Sequence, residues 1–150
     1  MYTAKAKQYI ERVEKLYALV EKVANDLGYG VLHNSLNLNE ESAGKYSIDK
    51  LILTRKAREM ASLTPIGSSI IGADGRVDLE GRVGEESLVY LLSDGPTMHT
   101  SVGGHPEIMR SRQFFRNIDA EGWYWIESVR LGKARPVTES LLTELIDAVN

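Results

Sequence analysis

IIGADGRVDLEGRVGEESLVYLLS, residues 70–93, decides how the chain is folded. Asp74-Gly75 is the kind of dipeptide that a two-residue type I′ turn demands, because both central residues take positive φ. Beyond it Val77, Leu79 and Val83 alternate with Arg76, Asp78, Glu80 and Arg82, the pattern of a strand with one buried and one wet face. Gly84 and Glu85 supply the next turn. SLVYLLS (87–93) is then a continuous apolar run, which as a strand needs cover on both faces. Turns this tight join antiparallel neighbours, since a parallel pair needs a crossover of a dozen or more residues.

Working outward, the cover comes from the two ends of the chain. Tyr9, Ile10, Val13, Leu16, Tyr17, Val20, Val23, Ala24 and Leu27 trace one stripe at helical spacing, with Lys7, Glu11, Lys15, Lys22 and Asp26 outside it. The spacing predicts a helix over 3–27, stopped by Gly28. Its stripe fits either the chain's own sheet or a second copy of itself, which would make a homodimer through helix 3–27. Near the other end, Thr138 caps a short helix with Leu141, Leu142, Leu145, Ile146 and Val149 on its buried face.

The remaining segments read as short strands and turns. YGVLH (29–33) is a brief strand, and NSLNLNEESAGK (34–45) is polar enough for a loop or a frayed edge. KYSIDKLILT (45–54) and EMASLTPIGSSII (59–71) form a strand pair turning at RKAR. Ile48, Leu51, Ile52, Ala57, Met60 and Ala61 could also line a helix, but Arg55 and Lys56 interrupt that face, and Pro65 with Gly67 blocks its extension. TMHTSV (97–102) is a short strand, PEIMRSRQFFR (106–116) suits strand or helix, and GWYWIESVRL runs as one element up to Pro136. The expected architecture is α+β over 1–150 as one domain. A long N-terminal and a short C-terminal helix pack on one face of a mostly antiparallel sheet of about five to six strands.

Bulk properties exclude more than they assign. A chain of 150 residues can bury a sizeable core without staples. With no cysteine, disulfides, thiolate metal sites and cysteine nucleophiles are ruled out, and a reducing cytoplasmic setting is expected. No apolar run is long enough to cross a bilayer, and MYTAKAKQYIERVEK carries no secretory block, so no membrane association is expected. A net charge of −3 gives no general attraction to polyanions.

Catalytic patterns are sparse. Asp78 and Glu80 share a strand face, with Asp74 or Glu86 near enough to complete a divalent-cation site of a metal-dependent hydrolase. The same residues suit a solvated, charge-balanced face that guards an edge strand. His99 and His105 flank Gly103-Gly104, yet two imidazoles fall short of the three or four ligands zinc requires. The glycines and serines at 65–69 and 101–104 match neither a nucleophile elbow nor a phosphate loop. No cofactor is implied.

GWYWIESVR (122–130) holds both tryptophans. As a strand it sets Trp123 and Trp125 on one face and Tyr124 with Ile126 on the other, so both faces are apolar. Between Ile108 and Arg135 there are six basic residues against three acidic ones, interleaved with Phe114, Phe115 and the Trp-Tyr-Trp run. Arginine beside aromatic rings marks protein interfaces, and it also suits single-stranded nucleic acid or a nucleotide. The sequence therefore reads as a binding module rather than an enzyme, with a protein partner first and nucleic acid or a nucleotide as the alternative. Its surface comprises Arg110, Arg112, Phe114, Arg116, Trp123, Trp125 and Arg130, with His99 and His105 on the neighbouring 94–105 loop.

Overall fold

In a computed structural model the described residues are 1–70, 73–92, 97–102, 105–113, 118 and 120–150, with 97–102 and 105–113 described by their backbone pairing. The first helix, α1, is Ala4–Leu27. The Thr3 hydroxyl accepts the Ala6 N–H at 3.2 Å and so satisfies an otherwise orphaned donor. Past its end Gly28 adopts φ 83°, a left-handed conformation that costs a glycine little. The Gly28 and Tyr29 N–H groups then close back onto the Asn25 and Ala24 carbonyls.

Seven strands follow in one antiparallel sheet: β1 (Gly30–Glu40), β2 (Gly44–Arg55), β3 (Arg58–Gly67), β4 (Arg76–Gly81), β5 (Glu85–Leu91), β8 (Gly122–Ser128) and β9 (Lys133–Pro136), hydrogen-bonded in that order. Between β5 and β8 the chain makes a separate antiparallel hairpin, β6 (Thr97–Val102) with β7 (His105–Gln113). The closing helix α2 is Glu139–Val149, capped by the Thr138 hydroxyl on the Leu141 N–H. The up-and-down ribbon covered by two helices is as expected. The strands are more numerous than expected, and four local readings are corrected.

Residues 34–40 belong to β1, which pairs with β2 along its whole length. A backbone ladder outweighs the turn preference of asparagine side chains there. Asp74-Gly75 makes no I′ turn: Asp74 lacks positive φ, and the pair prolongs the ladder to β5 through Asp74 N–H to Tyr90 O and Tyr90 N–H to Gly75 O, both 2.9 Å. The left-handed two-residue turn lies at Lys56-Ala57, with φ 52° and 62°, between β2 and β3. Finally, GWYWIESVRL does not run on to Pro136. A turn at 129–132, with Gly132 at φ 65°, folds β9 back on β8. Val83, placed on the buried face by alternation, sits in the β4–β5 turn and is 74% exposed.

Both helices lie on one face of the sheet. Tyr9, Val13, Leu16, Val20 and Ala24 of α1 join all five apolar residues of the α2 stripe against Leu51, Leu53, Leu63, Val77, Leu79 and Leu88. Each valine, leucine or isoleucine among them contributes roughly 1.5–3 kcal/mol by leaving water. The α1 stripe is thus filled by the chain's own core. Gly81 lets α2 approach closely, since a Cβ there would lie 2.6 Å from the Val149 carbonyl carbon. On the opposite face a smaller core of Val89, Leu91, Ile118 and Tyr124 covers β5 and β8, so both strands are covered on two sides. The buried set on β2 changes parity between Ile48 and Leu51, because the distal half of β1–β2 reaches past β3 and brings Tyr46 edge-on to Tyr9 at 6.2 Å. No helix among the described residues is long and apolar enough to cross a membrane.

Candidate functional site at the root of the inserted hairpin

The β6–β7 hairpin leaves the sheet after Leu91 and returns at Gly122, two residues that are themselves paired. The sheet therefore closes beneath the insertion, and the side chains flanking that closure form its root. Arg12 of α1 lays its guanidinium carbon 4.1 Å from the centre of the Tyr90 ring. Tyr90 meets Trp123 edge-to-face at 5.5 Å. The Trp123 indole N–H donates to the Arg12 carbonyl at 2.9 Å, and the Tyr90 hydroxyl donates to Glu121 at 2.5 Å. Partial burial and the neighbouring Glu121 carboxylate push the Tyr90 phenol above its ordinary value. An aromatic pair under a cation is worth about 1 kcal/mol or more when desolvated, and the Arg12 side chain is 15% exposed.

Both tryptophans face the helices. Trp125 is half-buried, donates its N–H to Glu86 at 2.7 Å and has Arg135 over its ring at 5.5 Å. Tyr124 and Ile126 take the opposite face, as alternation requires. The Trp pair is accordingly built into the packing of the sheet against the helices. Arg130 is exposed in the turn after β8. On the hairpin, Arg110 lies opposite Thr100, Arg112 opposite Met98, His99 opposite Ser111 and His105 opposite Val102. Phe114 and Arg116 lie outside the described residues.

Asp78 occupies a different environment from a solvated carboxylate. It is buried, its two oxygens accept Arg76 Nε at 2.7 Å and a terminal Arg76 nitrogen at 3.0 Å, and Ser87 donates to it at 3.2 Å. Glu80 is exposed, and Glu86 is held by Trp125. Among the described residues no three His, Asp or Glu side chains come together to hold a metal ion.

A second concave feature had no sequence signature. A groove of about 350 Å³ between α1 and the β1–β2 hairpin is lined by Val13, Glu14, Tyr17, Glu21, His33 and Asp49, among others. In it the His33 ring lies between two carboxylates, Nε2 at 2.7 Å from Glu21 and Nδ1 at 3.3 Å from Asp49. Tyr17 donates from beneath to the Asp49 and Leu63 carbonyls. The three polar groups come from a helix and two strands, so no local spacing could have announced them. Compared with known proteins, the chain matches no family model, no curated protein and no solved structure.

Proposed function

We propose that the chain is a non-catalytic binding module that engages a protein partner through the β6–β7 hairpin and the adjoining surface of residues 94–135. The observation that carries this reading is topological. Two strands of six and nine residues are inserted between sheet strands that already pair with each other, and among the described residues the hairpin pairs with no other strand. The ladder of the seven-stranded sheet does not run through the insertion, and a lone two-stranded hairpin is marginally stable in water, so a surface that receives it would stabilise it. The nucleic-acid alternative is weaker because its stacking platform needs exposed rings, and Trp123 and Trp125 point toward the helices.

The test replaces residues 94–117 with a short Gly-Ser loop and, separately, places a photo-reactive residue at Arg112 with Lys15 on the outer face of α1 as control. The excised chain is expected to keep its melting temperature, because β5 and β8 remain paired. A discrete protein adduct is expected at Arg112 and not at Lys15, tolerant of added salt. Retention of the adduct's partner by the excised chain, at undiminished affinity, would sink the reading. Binding of a single-stranded oligonucleotide that collapses as salt rises would transfer it to the alternative.

A further inference from the structure

The two edges of the seven-stranded sheet are built differently. At one edge β9 is four residues long, carries Lys133 and Arg135, and ends in Pro136. Those are the features by which a sheet edge resists pairing with another chain. At the other edge β1 runs for eleven residues in unbroken register with β2, without proline, lysine or bulge. None of its residues is buried, Leu32 is 56% exposed, and its single carboxylate, Glu40, sits at its very end. Its outer N–H and C=O groups have no strand partner among the described residues. A long, regular, nearly uncharged edge is a template for strand addition.

We infer that β1 pairs antiparallel with β1 of a second copy across a two-fold axis near Ser35, joining the two sheets into one. Composition selects a copy over a foreign strand. A strand that meets itself must not bring like charges together, and with the axis at Ser35 the Glu40 of one copy faces Gly30 of the other. In this register Asn34 faces Leu36, Asn37 faces His33 and Asn39 faces Val31, so no like charges meet. The two ionisable side chains of the strand are already engaged within the chain, His33 by Glu21 and Asp49 and Glu40 by Tyr46 and Ser68, which leaves no unengaged charge by which to select a foreign partner. This contact differs from the α1 stripe, which is buried within the chain's own core.

The experiment measures mass in solution by sedimentation across a micromolar to near-millimolar range. Wild type is expected to double its mass with concentration, and Ser35→Lys, which sets a lysine directly against its own copy on the axis, is expected to remain at monomer mass with unchanged circular dichroism. Because the chain has no cysteine, Ser35→Cys is a unique probe. Under mild oxidation it should cross-link far faster than Glu11→Cys on the exposed side of α1. The inference is overturned if wild type is monomeric throughout, or if the lysine variant still dimerises while Ser35→Cys cross-links no faster than Glu11→Cys. Should the lysine variant fail to fold, the two cysteine rates decide alone.

Discussion

The carboxylate of Glu40 stands at the far end of β1, where its oxygens accept the Ser68 N–H at 3.0 and 3.1 Å and the Tyr46 hydroxyl. One side chain thus ties the tip of the first hairpin to the end of β3. Burial pushes this carboxyl up, but the Tyr46 hydroxyl and the Ser68 N–H outweigh it and hold the group below its ordinary value. A folded value below the unfolded one contributes stability that is present above the unfolded pKa of about 4.3 and lost as pH falls through the folded value. Glu40→Gln is therefore expected to cost about 1–2 kcal/mol at neutral pH, measured by denaturant melts. The gap to wild type should narrow on acidification, and a gap independent of pH would show that the charge is not what matters. None of this was legible in the sequence, because Glu40, Tyr46 and Ser68 are joined only after three strands have assembled.

Among the elements, the hairpin β2–β3 departs furthest from local preference. Its turn places Lys56 and Ala57 at φ 52° and 62°, where a Cβ is disfavoured. Asparagine and glycine suit these two positions. Lys56→Asn/Ala57→Gly is expected to raise stability by roughly 1 kcal/mol, seen as a higher melting temperature with an unchanged fold. A lower melting temperature would mean that one of the replaced side chains makes a contact worth more than the relief. The elements read best from sequence were those whose signal is local: the Thr138 cap with its five apolar residues, Gly28 after α1, and the alternation through Val77 and Leu79. The least readable were β9 and the outer half of β1. Four residues ending in proline, and a strand rich in asparagine, become strands only because a neighbour offers a ladder.

For the whole molecule, the long first helix is bound to the sheet by buried phenols as well as aliphatic side chains. Tyr9 and Tyr17 of α1 donate to the Arg76, Asp49 and Leu63 carbonyls, while Tyr46 meets Tyr9 edge-on. Burial raises all three phenols above their ordinary value. The stability they contribute is fully present below the unfolded pKa of about 10 and is lost as pH rises from there toward the folded values. These tyrosines are expected to ionise together with loss of circular dichroism in one alkaline transition, followed by phenolate absorbance. Ionisation of Tyr9, Tyr17 and Tyr46 near the ordinary value, with the fold intact, would contradict their role as a buried fastening.

By itself the sequence determined the α+β class, the antiparallel ribbon and the two covering helices. Helical stripes, caps, alternation and short turns act between residues a few positions apart, so their consequences can be written down without knowing where distant segments go. Only the tertiary structure decided that Trp123 and Trp125 face the helices, that Asp78 is bound by Arg76, that His33 lies between Glu21 and Asp49, and that the long β1 and the short β9 form the two edges of the sheet. Strand alternation assigns a side chain to one of two faces. Which face is covered, and which strands form the edges, depends on the order in which distant strands hydrogen-bond, and that order is a property of the assembled sheet.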